Sequence, residues 1–152
     1  MSTNESLIHE NREARFHYEI LETLEAGLVL TGSEVKSLRG KNVRLKDSFV
    51  VFVGSEAFIQ NSHIAPYKFG SYANHEPERK RKLLLHQREI DHLHGSVREK
   101  GLTCIPLKLY FKSGRVKVLI GLAKGKKLHD KRETLKKRDA DLALRQSLKK
   151  TR

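Results

Sequence analysis

Tryptophan is absent from this 152-residue chain, methionine and cysteine occur once each, and proline three times. The single Cys104 leaves no internal disulfide and excludes zinc fingers and ribbons built on cysteine ligands. It lies in an apolar stretch, residues 102–107, where a thiol packs as a small hydrophobe rather than acting as a nucleophile. No window holds 18 consecutive apolar residues, so no membrane span and no membrane partner are expected. The first fifteen residues are polar and carry both signs, unlike the apolar centre of a secretory leader. A cytoplasmic protein is the expectation. Acidic residues are the other scarcity: 18 Asp and Glu face 31 Lys and Arg, a net charge of +13 and a pI near 10.0. Such a surplus on a small chain makes a polyanion the default partner.

What is present is mostly strand. The even positions Tyr18, Ile20, Glu22, Leu24, Ala26, Leu28 and Leu30 are apolar except Glu22, and period 2 predicts a long half-buried strand. Thr31 and Glu34 stand at capping-box spacing and open a short helix with Val35 and Leu38 on one face and Gly40 as its stop. Phe49-Val-Val-Phe-Val53, Gly54-Ser55 and Glu56-Ala-Phe-Ile59 read as a hairpin. Residues 68–81 are polar and without period, an exposed loop. A short apolar run, Lys82-Leu-Leu-Leu-His86, leads into a helix from about Gln87 to Lys100, striped by Ile90, Leu93 and Val97 and followed by Gly101. A second hairpin turns at Ser113-Gly114. Its expected core face carries Ile105, Leu107, Leu109 and Phe111 opposite Val116, Val118, Ile120 and Leu122, and Lys, Arg and Tyr side chains cover the other face. Several antiparallel strands with two or three short helices predict a mainly β fold, a small closed or nearly closed oligonucleotide-binding-like barrel.

Charge divides the chain at residue 123. Residues 124–152 hold twelve Lys and Arg against four Asp and Glu, while the first 123 keep nineteen against fourteen. The expected organisation is a barrel domain over 1–123, flexible over 1–10, and a basic tail over 124–152. In the tail Leu128, Leu135 and Leu142 recur every seven residues amid charge, a stripe too narrow to hold a helix alone. The tail is expected to be disordered alone and helical on a partner.

No arrangement signals catalysis, and no catalytic residue, metal ligand or cofactor is assigned. His92 and His94 are two apart on a helical segment and point in different directions. His129 and Asp130 are adjacent on the tail, without the fixed geometry that proton transfer needs. Basic residues mixed with aromatics suit RNA better, because cations neutralise phosphate while aromatics stack on unpaired bases. Three clusters qualify: Arg12, Arg15, Phe16, His17 and Tyr18; Arg79, Lys80, Arg81 and Lys82; and Lys124, Lys126 and Lys127.

Longer strings add a resemblance. Asn11-Arg-Glu-Ala-Arg-Phe-His-Tyr18, Gly32-Ser-Glu-Val-Lys-Ser-Leu-Arg39, Arg81-Lys-Leu-Leu-Leu-His86 and Ala123-Lys-Gly-Lys-Lys-Leu-His-Asp-Lys-Arg132 resemble, in unbroken order, the small protein B family, the SsrA-binding proteins of bacterial trans-translation. The resemblance implies a non-enzymatic adaptor that binds the tRNA-like domain of transfer-messenger RNA and delivers it to ribosomes stalled on messages without a stop codon. It implies that Asn11, Glu25 and Leu84 engage RNA; Arg12, Arg15, Tyr18, Arg81, Lys82, Lys124, Lys126 and Lys127 join them as RNA-binding candidates from the basic clusters. It also implies that Tyr18 and His129 face the decoding centre. Asp130, Lys131 and Arg132, followed by Lys136, Lys137 and Arg138, would run with the tail into the vacant mRNA channel of the small subunit. Phe16-His17 stands where some relatives have His followed by an acidic residue, so His17 receives no role. The alternatives left open are a barrel protein bound permanently to ribosomal RNA and a small RNA-processing enzyme. A monomer is expected.

Overall fold

The computed structural model describes residues 5–70 and 74–126. The chain runs β1 (Glu5–Glu10), α1 (Ala14–His17), β2 (Tyr18–Leu28), α2 (Gly32–Arg39), β3 (Val43–Arg44), β4 (Phe49–Val53), β5 (Glu56–Gln60), β6 (His63–Ile64), β7 (Arg81–Leu84), α3 (Gln87–Lys100), β8 (Thr103–Lys112) and β9 (Arg115–Gly125). Seven strands form one antiparallel sheet in the order β1-β8-β9-β2-β7-β5-β4, and β3 pairs with β6 apart from it. The sheet curls so that β4 packs against β8 without pairing with it. The barrel is therefore oligonucleotide-binding-like but open.

Local signals account for the elements they predicted. Thr31 Oγ1 accepts from the Glu34 amide at 3.4 Å and Glu34 Oε1 accepts from the Thr31 amide at 2.8 Å, which completes the capping box of α2. Gly40 ends that helix with a negative φ, and the left-handed step falls one residue later, on Lys41 at φ 60°. Helix α3 spans the expected residues, and Gly101 closes it at φ 65°. Ser113 and Gly114, at φ 51° and 80°, make the two-residue turn between β8 and β9 whose twist matches the flanking strands.

The core occupies the concave side. Leu38, Leu45, Ile59, Leu83, Val118 and Ile120 are buried there, and α3 lays Ile90 and Leu93 over β8 and β9. A smaller cluster of Ala14, Ile105, Leu107 and Ala123 sits apart from it, with Tyr18, Ile20, Phe49 and Leu119 packed alongside.

The pairing of β8 corrects one expectation. Its register to β9 shifts between Pro106 and Lys108, so Leu107 is the extra residue of a bulge. Past the bulge the faces exchange. Leu109 and Phe111 enter the main core, while Ile105 and Leu107 turn to the second cluster. A matching shift at Leu21 of β2 sends Ile20 to the second cluster and Leu24, Ala26 and Leu28 to the main core. Gly121 of β9 makes room for this packing, because a Cβ there would lie 2.9 Å from Leu107 Cδ1 and 3.2 Å from Ile20 Cγ2.

Three more expectations change. Residues 5–10, read as lying outside the barrel's strands, form β1, which pairs with β8 and buries Ile8 at a bulge of its own. Residues 68–81 are not wholly exposed, because His75 is buried, with Nδ1 2.8 Å from Ser33 Oγ and Nε2 2.9 Å from the Ile64 carbonyl. Strand β9 passes the expected domain boundary, with Ala123 buried and Lys124 and Gly125 still paired to Glu19 and Tyr18. The leucine stripe of the tail lies outside the described residues.

Cys104 is 1% exposed, and burial pushes its thiol up to about 12. A neutral thiol out of reach of solvent reacts only when the fold opens. Cys104 should stay unmodified by an aromatic disulfide reagent in native buffer and react fully in denaturant. Rapid native labelling would contradict this placement.

Candidate nucleic-acid interface

Strand register brings one set of the sequence-nominated residues together. Leu84 of β7 pairs with Gly27 of β2, Gly27 with Lys117 of β9, Lys117 with Tyr110 of β8, and Tyr110 with Leu7 of β1. Directly paired residues project to the same side, so these five form one row across five strands. The row lies on the outer face, since Val118 beside Lys117 points into the core. Glu25, two residues before Gly27, shares that face.

Glu25 is held in place. The Tyr110 hydroxyl donates to its Oε2 at 2.5 Å, and Lys112 Nζ lies 3.3 Å from both carboxylate oxygens. The Tyr110 hydrogen bond, with Lys112 and Lys117, outweighs partial burial and keeps this carboxyl below its ordinary range. Burial, and then the facing carboxylate, push the Tyr110 phenol up. About a third of the Glu25 side chain remains exposed, 35%, so the fixed oxygens still meet solvent. Glu25, which the resemblance placed at the RNA face, is thus held in a local ion pair with Lys112.

Leu84 is 56% exposed and lies over Gly27, where a Cβ would come within 3.2 Å of Leu84 Cβ. Gly27 thus leaves a flat seat for this leucine. Arg115 and Lys117 border the adjoining shallow cavity of about 230 Å³. Sequence reasoning passed over Lys117 and Arg115. The outward alternation of β9 was the signal that contained them.

A second set meets at the other end of β2. Tyr18 pairs with Gly125 and Glu19 with Lys124, the Lys126 amide donates to the His17 carbonyl at 2.9 Å, and Lys126 Nζ donates to the Arg15 carbonyl at 2.8 Å. Lys124 and Lys126 of the third cluster therefore share one surface with Arg15, His17 and Tyr18 of the first. It borders a groove of about 530 Å³ between α1 and residues 46–49, lined by Asn11, His17, Tyr18 and Lys126 among others. Asn11 shapes this corner. Its side-chain Nδ2 donates to the carbonyls of Pro106 (3.1 Å) and Leu45 (3.3 Å), and its backbone N–H to that of Leu107 (2.7 Å). Arg12 lies on the neighbouring groove of about 500 Å³ with Arg44 and Lys46, two cations the sequence reading did not nominate. They flank Leu45 in an alternating segment too short to stand out.

The remaining cluster is split: Lys80 is exposed, Arg79 and Lys82 are half-buried, and Arg81 is internal. Arg81, expected to contact RNA from a loop, is fully buried. All five of its N–H groups have partners: Glu34 Oε2 at 2.6 Å, the Ser62 carbonyl and Oγ at 2.9 and 3.1 Å, and the carbonyls of Glu76 and Pro77 at 3.3 and 3.0 Å. Arg79 bonds Glu34 Oε1 at 2.6 Å, and Lys82 bridges to Glu56 at 3.5 Å, half-exposed. Burial alone would raise the Glu34 carboxyl, yet hydrogen bonds from Arg79, the Thr31 amide and Arg81 hold it at about 2. The correction to Arg81 has a plain cause: its carboxylate partner lies 47 residues away in sequence.

Among the described residues no group of three or more His, Cys, Asp or Glu side chains is placed to hold a metal ion, and no helix is long and apolar enough to cross a membrane. His92 lies 3.0 Å from Glu22 while His94 stacks on Phe52, so the two diverge as their spacing predicted. Lys127, His129, Asp130, Lys131, Arg132, Lys136, Lys137 and Arg138 lie outside the described residues.

An open oligonucleotide-binding-like barrel, with one outer row of fixed polar and apolar groups and a joined basic corner, is the architecture of a small RNA-binding module. Comparison with known proteins narrows this. The chain belongs to the SmpB protein family, whose model matches residues 8–150. It is 59% identical over 152 residues to an SsrA-binding protein of Bdellovibrio bacteriovorus, covering 100% of both chains. It is 62% identical over 132 residues to an SsrA-binding protein of Aquifex aeolicus, covering 86% of this chain and 84% of that one. A solved chain described as "tmRNA-SmpB: a journey to the center of the bacterial ribosome" matches with a TM-score of 0.67 and 57% identity, over 79% of this chain and 85% of that chain.

Proposed function

We infer that this protein is an RNA-binding adaptor of trans-translation, which binds the tRNA-like domain of transfer-messenger RNA and carries it to stalled ribosomes. The outer-face row carries this reading. Glu25, pinned by Tyr110 and Lys112, sits on one face with exposed Leu84 and the cation Lys117, in a chain 59% identical end to end to an SsrA-binding protein. A carboxylate repels phosphate, but it accepts hydrogen bonds from base amino groups and from the 2′-hydroxyl. An apolar leucine beside it packs on a sugar or base face. Arg12, Arg15, Tyr18, Lys124 and Lys126 supply phosphate contacts and stacking from the joined corner. The protein acts without catalysis of its own, as a cytoplasmic monomer. Its residues after 126, with His129 and Asp130-Lys131-Arg132, are its ribosome-binding part.

The RNA that co-purifies with the tagged protein tests this function. One dominant species carrying both a tRNA-like end and an open reading frame is the expected result. Stoichiometric ribosomal RNA with no such species would overturn it.

Glu25→Gln tests the row. The amide keeps the size, and its oxygen still accepts from Tyr110, but the charge is gone. Affinity for the tRNA-like RNA should fall by about 1–3 kcal/mol, the range for one specific polar contact. If Glu25 does not touch RNA, removing a negative charge beside a polyanion tightens binding instead. A titration reads the sign.

A further inference from the structure

We propose that Phe69, raised on the turn between β6 and β7, is a stacking platform for an unpaired base of the bound RNA, separate from the Glu25–Leu84 row. This rests on the RNA-binding function inferred above and adds a second contact region to it. Phe69 is 78% exposed, the most exposed large apolar side chain among the described residues. It does not stand alone: partly buried Tyr67 packs beside it, so the feature is an exposed aromatic pair rather than a single scattered apolar side chain.

Here the backbone is fixed. The Tyr67 amide donates to Asn74 Oδ1 at 3.1 Å, Asn74 Nδ2 donates back to the Tyr67 carbonyl at 2.9 Å, and the Gly70 amide donates to that same carbonyl at 2.9 Å. A side chain at residue 70 would displace Asn74 from this closure, since a Cβ there would meet Asn74 Nδ2 at 2.6 Å. The turn therefore holds Phe69 outward.

The surroundings fit a base carrying phosphate on its backbone. Tyr67 meets Phe69 edge-on, with centroids 5.7 Å apart and planes at 70°. Lys68 Nζ lies 5.7 Å from the Phe69 centroid, and Lys36 Nζ, reaching over from α2, lies 5.4 Å from that of Tyr67. An exposed ring with an edge-on aromatic neighbour, one lysine over its own face and a second over that neighbour stacks a base on its open face while the lysines neutralise the flanking phosphates. A broad tolerance of base identity follows, because every base presents a π-face to such a ring. A paired base, stacked inside a duplex, cannot reach the ring.

The chain has no tryptophan, so Phe69→Trp installs a single reporter at the platform. The probes are a transcribed tRNA-like domain of transfer-messenger RNA and a blunt RNA duplex of equal length. The tRNA-like RNA should quench the Trp emission with the same midpoint as its binding measured by gel retardation, and the duplex should leave it unchanged. Phe69→Ala, at an exposed site that leaves the fold intact, should bind the tRNA-like RNA about tenfold more weakly, with Phe69→Trp close to the native protein. Unchanged emission on binding, equal quenching by the duplex, or native affinity in Phe69→Ala would each overturn the platform while the RNA-binding function stands. Failure of the native protein to retard the tRNA-like RNA would overturn both.

Discussion

Glu34→Gln should destabilise the fold by about 3–5 kcal/mol, the cost of leaving a buried partner charge unpaired. The Arg81 guanidinium is enclosed on all sides and loses the carboxylate that balances it, while Arg79 loses its only charged contact in the described residues. Urea unfolding of both proteins measures the difference. A pH series gives the sign independently. Glu34 is held at about 2 in the fold against an ordinary carboxylate value near 4 when unfolded. A depressed folded value contributes stability above the unfolded value, and this is lost as pH falls through the interval toward 2. The native protein should therefore lose stability more steeply than Glu34→Gln between about pH 5 and 2. Parallel pH curves, or a loss under 1 kcal/mol at neutral pH, would contradict the network. RNA affinity of the fraction that remains folded should not change, which separates this carboxylate from Glu25.

Truncation after Lys127 should leave RNA binding largely intact and abolish peptide tagging on stalled ribosomes, even at saturating protein. Every strand of the sheet and both groups of interface residues survive that cut, whereas a cut after Ala123 would remove the β9 residues paired with Tyr18 and Glu19. The segment removed is strongly basic and carries the leucines at intervals of seven. Such a segment orders only against a surface that offsets its lost entropy, and the RNA-lined channel of an empty ribosome is one. A tail that merely added charge would be dispensable at excess protein. Near-normal tagging by the truncated form would show it to be so.

What the sequence made legible was local. The capping box of α2, the span of α3 and the turn at Ser113-Gly114 each depend on residues within a few positions of one another, and each was readable. The face assigned to Ile105 and Leu107 was not, because one bulge residue reverses the alternation that the rest of β8 obeys. Strand β1 escaped notice because its apolar content is a single pair, Leu7 and Ile8, and its partner lies about a hundred residues further on. The interface shows the same division. Glu25 and Leu84 were nominated through resemblance, but that they share a face with Lys117 and Tyr110 follows from cross-strand register. The basic residues at 12–18 and 124–126 merge because β2 pairs with β9, and composition cannot show that. Arg81 matched a basic pattern and proved internal, since a run of cations carries no sign of which one has a distant carboxylate.

The position of β4 at the end of the sheet matters during synthesis. Phe49-Val-Val-Phe-Val53 is apolar, β-branched and uncharged, the composition of a segment that adds strands from other chains. In the finished molecule its open edge is shielded by β8, and His94 of α3 stacks on Phe52 at 5.0 Å. Both shields are made later than the β4–β5 hairpin, which ends at Gln60: His94 follows in α3 and β8 only from Thr103. A nascent chain therefore displays a bare adhesive edge for seconds before it can cover it. Substitutions that loosen α3 or β8 would lengthen that interval, and their first symptom would be poor soluble yield rather than weak RNA binding.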